Sequence, residues 1–178
     1  MDDEDRNVWF TAVYEAHQHE ILGYLYGLRL GRSAEDAWQE TFLEAWEQAH
    51  VISAFGNVRA WLFKVARRRA IDELRRRKRH AEPRWPLPIG VSVSDAKVRH
   101  ELEFLHRVAD YNLTSKELEV LYLQHVYNFS DAEIATVIGK SSDSVRKYRE
   151  KAHKKIAAAE GLETGAARRR RLAREGAV

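Results

Sequence analysis

The stretch Ser130-Asp131-Ala132-Glu133-Ile134-Ala135-Thr136-Val137-Ile138-Gly139-Lys140-Ser141-Ser142-Asp143-Ser144-Val145-Arg146-Lys147-Tyr148-Arg149 decides the fold. Ser130-x-x-Glu133 is a capping box, in which hydroxyl and carboxylate each satisfy a backbone N–H at a helix start. Gly139-Lys140-Ser141-Ser142 reads as a short polar turn, and a basic helix follows from Ser144 to about Ala159. A helix, a tight turn and a basic second helix are the organisation of a helix-turn-helix, whose second helix enters the DNA major groove. On that helix Ser144, Arg146, Lys147, Arg149 and Lys151 are candidates for contacting DNA. Arg or Lys near the helix start reaches guanine edges, and later ones touch phosphate. Val145, Ala152 and Ile156 fall on the opposite, packed face.

Upstream, Thr114-x-x-Glu117 is a second capping box, and a further helix is expected near Asp95–Asp110. The three prolines of the chain, Pro83, Pro86 and Pro88, interrupt any helix between them, since proline lacks a backbone donor and fixes φ. With Gly90, Ser92 and Ser94 they mark residues 81–94 as a linker. Before it, three helices are expected. Val8–Leu30 carries Leu, Ile and aromatics at helical spacing, although Gly23 and Gly27 weaken its second half. Ser33 followed by Asp36 is a capping signal for a helix to about Ala49, with Trp38, Phe42, Ala45, Trp46 and Ala49 on one face. Asn57 caps the third, where Trp61, Leu62, Val65, Ala66 and Leu74 form the buried stripe. The expected class is all-α: two small helical domains, residues 1–80 and 95–160, joined by the Pro-containing linker, with a basic, solvated tail over 161–178.

The 178 residues carry a formal charge of only +3, but the charge is segregated. Residues 1–50 hold eleven acids and three bases, whereas residues 51–84 hold eleven bases and three acids. Two kinds of partner are therefore expected, with the basic segment aimed at nucleic acid. The absence of cysteine excludes disulfides, zinc fingers and thiol catalysis. No apolar run reaches the length of a membrane span, and Met1-Asp2-Asp3-Glu4-Asp5 is acidic where a signal peptide needs a positive region, so a cytoplasmic protein is expected.

The densest basic run is Arg67-Arg68-Arg69 followed by Arg75-Arg76-Arg77-Lys78-Arg79. Phosphate contacts by such a run release counterions and bind nucleic acid salt-dependently; the alternative is a solvated helix end favoured by the dipole. Phe55, Trp61 and Phe63 lie just upstream, where single-strand bases stack on aromatics, against the alternative that Trp61 is simply core. Two Glu-x-x-His pairs, Glu47/His50 and Glu103/His106, have the spacing of di-iron bundles, but wheel angles turn both to solvent. With no P-loop, no G-x-S-x-G and no dinucleotide fingerprint, neither an enzyme, a metal nor a cofactor is expected. The acids Glu35, Asp36, Glu40, Glu44 and Glu47 form either a solvated face or a site for a protein partner.

Ala34-Glu35-Asp36-Ala37-Trp38-Gln39-Glu40-Thr41-Phe42-Leu43-Glu44-Ala45-Trp46 closely resembles region 2 of bacterial extracytoplasmic-function (ECF) sigma factors. Arg59-Ala60-Trp61-Leu62-Phe63-Lys64-Val65-Ala66-Arg67, continuing to Ala70-Ile71-Asp72 and the Arg75–Arg79 run, resembles the promoter-reading part of that domain, and Leu113 to Ile156 resembles region 4. The resemblance covers about 140 residues. It implies a dissociable promoter-specificity subunit of RNA polymerase that does no chemistry. Asp36, Gln39, Glu40 and Phe42 would lie at the contact with core polymerase. Phe55, Asn57, Trp61, Lys64, Arg67, Arg68, Arg75 and Arg76 would face the single-stranded −10 element. Ser144, Arg146, Lys147, Arg149 and Lys151 would read the duplex −35 element. An anti-sigma factor is an expected partner. Two departures stand out: many relatives carry Asn where this chain has Arg68, and Ser-Arg-Leu where it has Lys147-Tyr148-Arg149. Ser144-Val145-Arg146-Lys147-Tyr148 is more similar to the ferric-citrate-type, iron-uptake subgroup, which implies a membrane-anchored regulator. The competing reading is a stand-alone helix-turn-helix regulator, which needs no acidic docking helix and would dimerise on a palindrome; an RNA-binding or metal-containing helical enzyme is a third.

Overall fold

The computed structural model describes residues 2–28, 30–54, 56–79, 108 and 111–161, and every element among them is an α-helix. α1 spans Asp3–Gly27, α2 Ser33–Glu47, α3 Ala49–Ile52, α4 Val58–Arg79, α5 Ser115–His125, α6 Asp131–Ile138 and α7 Ser142–Ala159. The expected helix at 95–110, the linker 81–94 and the tail lie outside the described residues, Val108 excepted.

α1 begins five residues before the expected start, because Asp2 accepts a 2.8 Å bond from the Asp5 N–H and three acids in the first turn complement the helix dipole. The expected cap at Ser33 is not formed. The N-cap is Arg32 without a side-chain bond, and the Ser33 hydroxyl donates instead to Glu73 at 3.0 Å and accepts from Arg77 at 2.7 Å. A local capping signal has here lost to partners some forty residues away. α2 ends at Glu47, and the chain turns through α3. Asn57 caps α4, accepting from the Ala60 N–H at 2.8 Å. Both capping boxes form with both reciprocal bonds, and Gly139 closes α6 in the left-handed conformation at φ 64°.

α1, α2 and α4 bury Ile21, Tyr24, Leu25, Phe42, Ala45, Leu62, Phe63 and Ala66 between them. At one end an aromatic ladder packs edge to face, with Phe10–Trp46 at 5.2 Å and Tyr14–Phe42 at 5.1 Å. The Trp38 indole N–H, which burial would otherwise leave unmatched, donates to the Gln18 carbonyl at 3.0 Å. α5–α7 close over Val120, Leu123, Ile134, Val137, Ile138 and Val145.

The two helical groups are not separate in this structure. α4 packs against α6, and one apolar cluster runs through both. Its centre is Phe63, fully buried, 4.9 Å from Tyr24, 4.8 Å from Tyr127 and 4.9 Å from Phe129. Tyr122 lies against α1 at Gly23 and Gly27, and its hydroxyl donates to the Gly23 carbonyl at 3.1 Å. A methyl group at Gly27 would stand 2.5 Å from the Tyr122 ring. The glycines that weaken α1 locally are thus the seat on which the second group of helices rests.

Candidate protein and nucleic-acid interfaces

On α2, residues 36, 39, 40 and 43 recur at i, i+3, i+4 and i+7 and so share one face. Asp36, Gln39 and Glu40 are exposed, and Leu43 beside them is 57% exposed, an uncommon position for leucine. Together with Arg69 and Arg76 of α4 they line an open groove. Phe42, expected at the same contact, is 4% exposed and packed among Phe10, Tyr14 and Trp38. One residue is 100° of helix, and that step sends Phe42 into the core and Leu43 outward. The spacing of Leu43 from Asp36, Gln39 and Glu40 carried that signal.

Glu44 also differs from a simple solvated acid. It is 8% exposed and accepts from Arg68 at 2.5 Å and Arg69 at 2.9 Å. Burial alone would raise its carboxyl, and the two guanidiniums more than offset this, leaving it below the ordinary value. Arg68, the departure noted above, therefore has a partner within the chain.

Along α4, Asn57, Trp61, Lys64, Arg68 and Arg75 fall within about 60° of one another, opposite the buried stripe. Asn57, Lys64, Arg68, Arg75 and Arg76 are exposed, while Trp61 is half-buried against the core with its other side open. Arg75 and Arg76 make short-range surface pairs with Asp72 and Glu73, which solvent weakens and a phosphate can replace. Phe55 lies outside the described residues.

Two members of the set are engaged by the second group of helices. Arg67 donates to Glu119 of α5 at 2.7 and 3.1 Å, and the Tyr24 hydroxyl donates to the same carboxylate at 2.8 Å. Burial, then the Glu119 charge, pushes the Tyr24 hydroxyl well above the usual tyrosine value. The Asn57 amide donates to Glu133 of α6 at 2.8 Å. Arg59, absent from the sequence-derived set, completes the seam: it forks onto buried Glu20 at 2.8 to 3.1 Å, donates to the Tyr127 carbonyl at 2.9 Å and lies 4.3 Å from the Phe129 ring.

On α7 the expected residues divide. Arg146, Lys147 and Lys151 are exposed on the outer face, and the Arg146 pair with Asp143 is itself at the surface. Arg149 is half-buried and bonded to Asp131 of α6, and the Ser144 hydroxyl faces that of Ser141 at 3.0 Å. These two side chains fasten the helix-turn-helix to itself. Glu47 and His50 are both exposed, Glu103 and His106 are outside the described residues, and no group of three or more metal-ligating side chains occurs among the described residues. Nor, among those residues, is any helix long and apolar enough to cross a membrane.

Glu20, Glu44, Glu73, Glu117 and Glu133 all sit below their ordinary value of 4.5. For Glu20, burial pulls upward and the bonds and charges of His17 and Arg59 more than reverse it. A carboxylate lowered in the folded state contributes stability that is fully present above its unfolded value and is lost as pH falls through the folded one. The melting temperature is therefore expected to slip slightly as pH falls through the ordinary histidine value, because burial holds the His153 imidazole below it, and to drop steadily below about 4.5. Glu20→Gln should shallow that drop. A melting temperature that rises on acidification to pH 4 would contradict the sign.

The sequence matches the Sigma-70 region 2 family over residues 13–80. It is 30% identical over 148 residues to the ECF RNA polymerase sigma factor SigL of Mycobacterium tuberculosis, covering 76% of this chain and 79% of SigL. It is 26% identical over 150 residues to the ECF sigma factor SigM of Bacillus subtilis, covering 75% and 91%. SigG of M. tuberculosis matches at 24% identity over 86% of this chain, which spans about half of SigG's length (49%). Among solved structures, the sigma factor RpoE in complex with the anti-sigma factor NepR from Bartonella quintana aligns with a TM-score of 0.62 at 17% identity, covering 86% of this chain and 98% of that one. CnrH in complex with the cytosolic domain of CnrY aligns with a TM-score of 0.59 at 21% identity, covering 85% and 87%. The helical architecture is that of these sigma factors, and the chain belongs to the ECF family of RNA polymerase sigma factors.

Proposed function

We propose that this chain is a promoter-specificity subunit. It binds core RNA polymerase through Asp36, Gln39, Glu40 and Leu43, holds the opened −10 strand on the α4 face and reads the duplex −35 element with α7, catalysing nothing itself. Residues 1–80 form the docking and −10 domain, 81–94 a linker, 95–160 the −35 domain and 161–178 a basic tail; the setting is the cytoplasm. The single observation that carries the reading is the pairing of an exposed acidic and apolar ridge on α2 with an exposed basic face on α4. A DNA regulator working alone has use for the second face but not for the first. A sigma factor in the same structural class is held by an anti-sigma factor, and a regulator of that kind is the expected partner here, membrane-anchored if the ferric-citrate-type likeness of residues 144–148 extends to regulation.

The test is run-off transcription by core polymerase with the purified chain on a pool of genomic promoters. The expected outcome is a set of discrete start sites sharing −10 and −35 sequences. Within that set, Arg146→Ala with Lys147→Ala should lower output from −35-dependent promoters by about tenfold or more, since a guanine-reading pair is worth about 1–3 kcal/mol per base. Duplex binding without any start site favours the stand-alone regulator.

A further inference from the structure

α2 starts without help from its own sequence. Its N-cap, Arg32, makes no side-chain capping bond, and the Ser33 hydroxyl is turned away to α4. A helix start that lacks a cap frays, since its first N–H groups have no partner within the helix. Asp36, the first residue of the acidic ridge, stands in that opening turn. Its alignment with Gln39, Glu40 and Leu43 therefore depends on the turn being wound.

What holds the turn comes from the end of α4. The Arg77 guanidinium donates to the Leu30 carbonyl at 2.5 Å, to the Ser33 hydroxyl at 2.7 Å and to Glu73 at 3.0 Å. Glu73 accepts from the Ser33 hydroxyl at 3.0 Å, which closes a ring of three side chains around the start of α2. Burial raises the Glu73 carboxyl, but the bonds from Arg77 and Ser33 and the charge of Arg76 more than reverse this, so it stays ionised opposite Arg77. Besides this ring the opening turn has one exposed bond, from Tyr26 to Glu35 at 3.1 Å. The rest of α2 has anchors of its own, Glu44 on Arg68 and Arg69 and the Trp38 indole on the Gln18 carbonyl.

Arg77 sits in a run of bases expected to meet nucleic acid, yet it does not share their face. It follows Ala66, Ala70 and Glu73 at steps of four, three and four residues, along the buried side of α4, and lies about 160° from Arg75. Its side chain is 25% exposed, against 72% for Arg75 and 66% for Arg76. A guanidinium committed to three acceptors has little left for phosphate.

We propose that Arg77 is a positioning residue for polymerase docking and not a DNA contact: with Ser33 and Glu73 it winds the opening turn of α2 and so sets Asp36 in line with Gln39, Glu40 and Leu43. This rests on the reading of the α2 ridge as the docking surface.

The test is a double-mutant cycle on the full chain, read as affinity for core polymerase. Arg77→Ala should weaken binding about fivefold, the typical size of a lost helix-start contact. In an Asp36→Ala background the same change should cost little, because the contact that the turn positions is already gone. In a Leu43→Ala background it should cost its full factor, since Leu43 lies about two turns further along and is held separately. Arg77→Lys, which keeps the charge but not the fork, should repeat the pattern more weakly. Its affinity for a fluorescein-labelled, mixed-sequence 20-nucleotide single strand should stay within about twofold of wild type, while Arg75→Ala with Arg76→Ala should lower that affinity clearly. Equal losses in all three backgrounds would overturn the proposal, and so would strand binding that falls with Arg77→Lys as far as with the Arg75 and Arg76 pair. Amide exchange separates the proposal from the reading beneath it. Arg77→Ala should speed exchange at Asp36 and Ala37, the first amides bonded within α2, and leave α1 and the middle of α4 unchanged. Exchange unchanged at those two amides, or faster throughout the chain, would also overturn the positioning role. If exchange speeds as expected while neither Asp36→Ala nor Leu43→Ala alters polymerase affinity, Arg77 still winds the turn and the docking assignment is what fails.

Discussion

Asp36→Lys combined with Glu40→Lys is expected to weaken binding to core RNA polymerase by about a hundredfold or more while leaving helicity and melting temperature near wild type. Both side chains are exposed, and the Asp36 carboxylate makes no hydrogen bond or ion pair among the described residues. Glu40 makes one pair, with Arg69 at 3.2 Å, between groups that are each more than a third exposed, and such pairs are worth little. The fold should therefore not notice their loss. At an interface, by contrast, a side chain of this kind near the centre of the patch is worth about 2 kcal/mol or more, and reversal adds repulsion to the lost attraction. Titrating labelled chain with core polymerase measures the effect. Affinity unchanged by the double reversal would place the docking surface elsewhere. Leu43→Ala should also weaken binding, with less salt dependence, because its contribution is apolar.

The second large effect concerns stability. Phe63→Ala is expected to cost about 3–5 kcal/mol, the usual price of a large aromatic removed from a full core. Phe63 is fully buried and stands between α1 and both rings of the α5–α6 connection, so the cavity would open on each side of the seam. With total stabilities of about 5–15 kcal/mol, much of the margin would go. Chemical denaturation followed by far-UV circular dichroism reads it. A loss below about 1 kcal/mol would mean that the two helical groups do not share this core in solution. Trp61→Ala, just over half a turn away on the open face, should cost less in stability and more in strand binding.

The capping boxes at Thr114 and Ser130 and the turn at Gly139 were legible because they are local: the partners lie three residues away and the chemistry needs nothing else. The helical class and the split into acidic and basic segments were legible for the same reason. What the chain pattern concealed lies across long separations. Ser33 reads as a cap, yet its hydroxyl is committed to Glu73 and Arg77. Gly23 and Gly27 read as weak points in α1, and only Tyr122, about a hundred residues on, explains them. Arg67 and Asn57 read as free basic and polar groups, and nothing near them in sequence announces Glu119 or Glu133. On α2 the structure departs from the expected set at one residue, Phe42. Phe42 belongs by spacing with Trp38 and Ala45, so the core stripe already placed it inside, and the exposed residue of the ridge was its neighbour Leu43.

On the proposed function, the chain together with polymerase opens promoter DNA and holds the separated strand. Permanganate oxidises thymines only where they are unstacked, so its reactivity on a promoter recovered from the run-off pool tests the claim directly. With core polymerase and the chain together, thymines of the −10 element should become reactive, and Trp61→Ala with Lys64→Glu should suppress the signal. A footprint over the duplex with no reactive thymine, or reactivity that core polymerase gives without the chain, would contradict it.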